Sequence, residues 1–262
     1  MLRQFYVGAT GMASFEKIMT NITNNVSNSK TVGYKSTRTE LENLFPQVLA
    51  KAVEKQDGTS APANLELGSG VRIVSTPKDF RQGAISVTNN EFDIAINGEG
   101  FLTFKTANGE IAYSRAGNLN RDSDGSVVDP NGNILQPQIS IPQNTDKVRI
   151  ASDGNVYVTL NQETQERVIG QIQLAKFMNP AGLESIGGNL FRQTTSSGDP
   201  VIGLPGQDNF GTISQFSLES SNVDIIGEMM EMVITQRAFD IITKAIQAGE
   251  GMMKSAADIA RA

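Results

Sequence analysis

The sequence predicts an α+β chain: N- and C-terminal helices flank antiparallel β modules. Three observations predict it. Apolar residues recur at three- and four-residue spacing near the N-terminus. From Gly68 to about Phe216, short runs rich in β-branched and aromatic residues alternate with turn residues. Helical periodicity then returns near Ser221 and holds to the end. The expected divisions are 1–33 with 222–262 for the terminal helices, 34–70 for a partly extended or loop junction, and 71–221 for the β modules.

Phe5, Met12, Phe15, Met19, Ile22 and Val26 form a heptad-like seam once Gly8 is counted as its small member. That pattern predicts one amphipathic helix over about 3–27. Asn24, Asn25, Ser27 and Asn28 follow. Their short polar side chains compete for backbone hydrogen bonds and should end the helix. Gly33 suits a chain reversal. In the next stretch, TRTELENLF either continues as a short helix or extends, Pro46 interrupts it, and VLAKAVEKQ has some helical character. DGTSAPAN reads as a loop.

VRIVS, AISVT, FDIAI, GFLTFK, KVRIA, VYVTL and VIGQIQLAKF read as strands. NGEG, ANGE, DSDGS, DPNGN and SDGN separate them, and their Asn-Gly and Asp-Gly pairs favour tight hairpins. Past a cap region at Ser221–Asn222–Val223, an apolar arc gathers Ile234, Ala238, Ile241, Ile242, Ala245, Ala248, Met252, Ala256 and Ile259. Phe239, Ile246 and Met253 widen it to about half the helix circumference, broader than a two-helix seam requires. Gly249 and Gly251 should weaken its middle. The two terminal helices are able to pair as a hairpin. The breadth of the second points to further partners, although a helix packed on its own β module would look similar.

Composition narrows the function. The chain has 262 residues, 28 acids against 22 cations, a net charge of −6, and neither cysteine nor histidine. Excess acid argues against nucleic acid, which is bound through phosphate neutralisation. Missing Cys and His remove disulfides, thiolate sites, the commonest metal ligand and the commonest neutral-pH base. No apolar run approaches the ~18 residues of a membrane span, and MLRQFYVGATGMASFEK lacks the apolar core of a signal peptide. The chain should therefore be cytoplasmic, or exported by a machine that reads something else.

Candidate sites each have a plainer alternative. DSDG at 122–125 with Asp129 lacks the alternating oxygens and closing Glu of a calcium loop, and fits a hairpin turn. Glu228 with Glu231 better suits a solvated helix face or ion pairs between subunits than glycosidase chemistry. NGEG at 97–100 has no Walker lysine and lies between strands. Met229, Met230 and Met232 are adaptable packing material. Gln236 and Arg237 interrupt the apolar face, as exposed residues or as polar contacts across a helix interface. No catalytic residue, cofactor-binding residue or metal ligand is proposed.

Three motif blocks, in order, resemble the bacterial flagellar rod and hook (axial) proteins over nearly the whole chain. The first has an apolar helix, then Asn24, Asn25, Val26 and Asn28, then Thr31, Gly33, Tyr34 and Lys35. The second is the β region GSGVRIVSTPKDFRQGAISVTNNEFDIAINGEGFLTFKTANGEIAYSRAGNLNRDSDG. The third holds Ser221, Asn222 and Val223, then Gln236, Arg237, Ala238 and Phe239, then Lys244. Val26 with Ser27 departs mildly from the family's usual Leu-Ala. Length, the NPAGLESIGGNLF stretch and an insertion at 44–66 favour the distal rod branch; a proximal rod paralogue or a hook-type protein is the alternative, and a wall-cleaving enzyme is a more distant one.

The resemblance implies a helical homopolymer in which the N- and C-terminal helices pair as a coiled-coil-like inner domain, with the β modules outside. The helices would be largely disordered before assembly, since unpartnered helices are marginal in water. It further implies type III export without a cleaved signal peptide, residence in the flagellar basal body, and no membrane insertion. Proximal rod proteins and hook protein would meet its two ends, and a ring bushing would surround it. The inner interface would use Phe5, Met12, Phe15, Met19, Ile22, Val26, Ile234, Ile241, Ala245, Ala248 and Met252. Lys35 and Arg38 would add ion pairs between subunits.

Overall fold

The computed structural model describes residues 2–50, 65–160 and 165–261. The chain divides into two compact units. One comprises residues up to Val26, Thr37–Pro77 and the chain from Ile225 onward; the other comprises Ser27–Ser36 and Lys78–Asp224. The fold is α+β, with paired terminal helices and antiparallel strands between them in sequence.

In the first unit, α1 spans Leu2–Ser27 and α2 spans Ile225–Arg261. Neither contains proline, so each keeps its ladder of backbone hydrogen bonds. Ser14, Thr20 and Thr23 return their hydroxyls to the carbonyls of Thr10, Glu16 and Met19, so these polar groups are satisfied locally. The helices run antiparallel and meet at two glycines. A β-carbon on Gly8 would lie 2.8 Å from Ile246 Cδ1, and one on Gly11 3.2 Å from Ile242 Cδ1. α2 runs unbroken through Gly249 and Gly251.

Two ribbons complete this unit. Glu40–Asn43 pairs antiparallel with Val71–Ser75, and Gln47–Ala50 with Leu65–Leu67. TRTELENLF thus takes its extended option in part. The helical character expected of VLAKAVEKQ is overturned for its first three residues, Val48 to Ala50, which lie in a strand. Pro46 biases the chain before it to extended backbone, and the partner strand supplies the ladder. The remainder of that stretch, and most of the 44–66 insertion, lies outside the described residues.

The second unit holds the β structure. Its nine-stranded sheet is centred on Phe101–Lys105, flanked by Ile111–Ser114, Ile134–Gln136 and Leu174–Lys176. A three-stranded meander runs through Thr145–Ile150, Asn155–Leu160 and Glu166–Gln171. Thr212–Gln215 pairs with Ile94–Asn97, and Ser217–Glu219 with Ile85–Val87. Every pairing among the described strands is antiparallel. One core packs Ile94, Ile96, Leu102, Phe104, Leu135 and Leu174 with their neighbours. A second packs Phe101, Tyr113, Phe177 and Phe191 edge to face. Full burial of each such side chain contributes about 1.5–3 kcal/mol before ordering costs. The DSDG stretch is a turn, with Gly125 N–H donating to Asp122 O and Gly125 at φ 80°.

Candidate assembly interface

On α1, Phe5, Met12, Phe15, Met19 and Val26 are half-buried, and Ile22 is buried. Their partner face on α2 is made of Thr235, Ala238, Ile242, Ile246 and Gly249, all buried or half-buried. Thr243 Oγ1 also approaches Met12 Sδ at 3.9 Å. The broad arc on α2 is therefore two faces. Ile234, Ile241 and Met252 lie on the other and are 67%, 66% and 57% exposed, with Ala245 and Ala248 exposed between them. Ile226 and Met230 extend this stripe toward one helix end and Ile259 toward the other. Beside the helix pair is a groove of about 330 Å³, lined mainly by Phe15, Met19, Thr235 and Phe239.

The polar groups of the helix pair have particular tasks. Asn25, 2% exposed, donates from Nδ2 to Glu228 Oε1 at 2.8 Å and to Thr37 O at 2.9 Å, while its Oδ1 accepts from Thr37 N–H at 3.0 Å. One amide thus ties the end of α1, the outgoing chain and the start of α2. Asn21 donates to Thr39 Oγ1 at 2.6 Å. Asn24, Gln236, Arg237 and Phe239 are exposed. Glu228, read from sequence as a solvated or inter-subunit acid, belongs to this intrachain bond.

The rest of the junction motif lies in the second unit. Thr31 N–H donates to Asn28 O at 3.1 Å, closing the turn after α1. Gly33 follows at φ 67°, where a β-carbon would fall 2.6 Å from Ala116 N, so only glycine fits without strain. Its N–H donates to Glu219 O at 2.8 Å. Tyr34 is buried. Asn222 works like Asn25: Oδ1 accepts from Ser36 N–H at 2.8 Å, and Nδ2 donates to Asp79 O at 2.7 Å. Ser221 and Val223, on either side of it, are half-buried.

Lys35 is not at the surface, where a pairing between subunits would need it. Its side chain and that of Glu219 have zero exposure, and Nζ donates to Glu219 Oε1 at 2.6 Å and to Arg81 O at 2.8 Å. Glu219 also accepts from Gly83 N–H at 2.9 Å and faces Arg115 Nη1 at 3.4 Å. Burial pulls the Lys35 ammonium below the ordinary lysine range, opposed by the Glu219 charge and hydrogen bond. Burial likewise lowers Arg115 against the same carboxylate. Glu219 and Arg115 escaped the sequence reading because a pairing across 184 residues leaves no local signal. Their only trace is an acid at an inward strand position. Arg38 lies outside this cluster, exposed and bonded to Glu40 at 2.9 Å.

Among the described residues, no three acids, histidines or cysteines are grouped to hold a metal. Nor is any helix long and apolar enough to cross a membrane. The arrangement is one of packing faces and buried ties, the character of a structural protein.

Comparison with known proteins agrees. Residues 95–158 match the family described as the flagellar hook protein FlgE/F/G D1 domain, and residues 214–259 match the flagellar basal body rod FlgEFG protein C-terminal family. Three proteins named flagellar basal-body rod protein FlgG are similar over nearly their full length. The one from Buchnera aphidicola subsp. Schizaphis graminum is 38% identical over 97% of this chain and 98% of its own. That from Caulobacter vibrioides is 36% identical over 96% and 97%, and that from Borreliella burgdorferi 36% over the whole of both. The chain belongs to the flagellar rod and hook protein family, on its basal-body rod side.

Proposed function

We propose that this chain is a structural subunit of the flagellar distal rod, a rigid hollow shaft that carries motor torque to the hook and encloses the export channel. The observation that carries this reading is the second apolar face of α2, at Ile234, Ile241, Ala245, Ala248 and Met252. A single chain leaves it in water, whereas a helical polymer would bury it against a different patch of the next copy, as open assemblies require. In this reading the α1 residues Phe5, Met12, Phe15, Met19, Ile22 and Val26 build the intrachain half of the inner layer. Asn25, Gly33, Lys35 and Asn222 hold the turn from helix to β unit.

Partners in this reading are copies of the chain, proximal rod proteins and hook protein at the two ends, a surrounding ring bushing, and the type III export apparatus. The place is the basal body. No catalytic step is part of the proposal. Substituting Ile241→Asp tests it. The expected outcome is a folded monomer that no longer enters the rod, scored by sedimentation and by loss of motility. Normal rods from that variant would overturn the reading.

A further inference from the structure

Lys78 begins the longer segment of the second unit. It is half-buried, and its Nζ stands 5.2 Å from the Tyr34 ring centroid and 5.9 Å from that of Phe191. Both rings are buried. Every other cation around this aromatic cluster has an acceptor. Lys35 and Arg115 share Glu219, and Arg81 pairs with Asp79 at 2.6 Å. Among the described residues Lys78 has neither a carboxylate nor a hydrogen-bond acceptor. Two ring faces offset only part of the cost of taking an ammonium from water. Burial alone sets its lowered pKa, with no carboxylate to raise it.

We propose that Lys78 is a docking point for a second copy of this chain, completed by a carboxylate which that copy supplies. The inference rests on the polymer reading above. Charge complementarity identifies the occupant. The chain carries 28 acids against 22 cations, so another copy brings carboxylates in excess. Asp122 and Asp124 are exposed at a turn and pair with no cation among the described residues. The rings of Tyr34 and Phe191 hold the ammonium in place, so the pair forms with little loss of side-chain freedom. An ion pair so placed sets register and partner choice more than raw affinity.

The test uses basal bodies from cells producing a mixture of light and heavy-isotope chains, beside the free monomer. A water-soluble carbodiimide joins a lysine to a carboxylate it touches, and mass spectrometry reads the link. The expected result is a Lys78 cross-link joining light to heavy chains in the polymer, absent from the monomer. The acetylation rate of Lys78 should also fall by at least about tenfold on assembly, equivalent to 1.4 kcal/mol of protection. Lys78→Glu should assemble poorly while Lys78→Arg assembles. Lys78 acetylated equally in polymer and monomer, or cross-linked only within one chain, would overturn this inference and leave the polymer reading intact. Absence of the chain from the polymer would overturn both.

Discussion

At the residue scale, the strongest commitments are Gly33 and Glu219. The positive φ of Gly33 and the closeness of Ala116 N leave no room for a side chain. Gly33→Ala should cost about 1–3 kcal/mol, the range for backbone held in a sparsely populated region, measured by urea denaturation. Glu219 neutralises two buried cations. Glu219→Gln strands both and should cost about 3–5 kcal/mol. It should also change the pH dependence. Without the carboxylate, the Lys35 pKa falls further below its unfolded value near 10.4. Between those two values the unfolded chain binds more protons, so stability must rise with pH. The variant should therefore regain stability between pH 7 and pH 10 more steeply than the parent, and a flat profile would contradict the buried-charge account. Gly33 was legible in the sequence, because a glycine after an amide-rich helix end has few other uses. Lys35 was legible as a motif member but not as a buried group, since burial depends on a carboxylate 184 residues away.

At the element scale, α2 is the informative case. Its periodicity showed a wide apolar arc, and the structure divides that arc between α1 and solvent. No reading of one helix could make the division, because it depends on where Gly8 and Gly11 let the partner approach. The two faces should respond differently to substitution. Ile246→Ala, on the face toward α1, should destabilise the helix pair by about 1–2 kcal/mol, below the 2–5 kcal/mol of a fully buried site. Ile241→Asp, on the exposed face, should change monomer stability by no more than about 0.5 kcal/mol. Thermal unfolding of both variants checks the contrast. The Gln47–Ala50 ribbon shows the opposite limit. VLAKAVEKQ has helix-forming composition, yet Val48 and its neighbours pair with Leu65–Leu67. Tertiary pairing overrode a weak local preference, and only the partner strand reveals it.

At the scale of the whole molecule, the chain passes between its two units at residues 26–27, 36–37, 77–78 and 224–225. Buried ties hold both sides of these crossings: Asn25 to Thr37 and Glu228 in one unit, Asn222 to Ser36 and Lys35 to Glu219 in the other. We further propose, from the family resemblance, that residues 44–66 act as a wedge between neighbouring copies and block the sliding that would let the polymer bend. Deleting them should leave a polymer that curves, with a shorter persistence length in electron micrographs. An equally straight and stiff polymer would contradict the wedge. The central claim is that the exposed face of α2 is buried only between copies. Cryo-electron microscopy of the assembled full-length chain, with Ile241→Asp as control, tests it most directly. The account predicts straight hollow tubes with Ile234, Ile241 and Met252 packed against a neighbouring subunit at the inner wall, and no tubes from the variant. Tubes in which that stripe still faces water would contradict it.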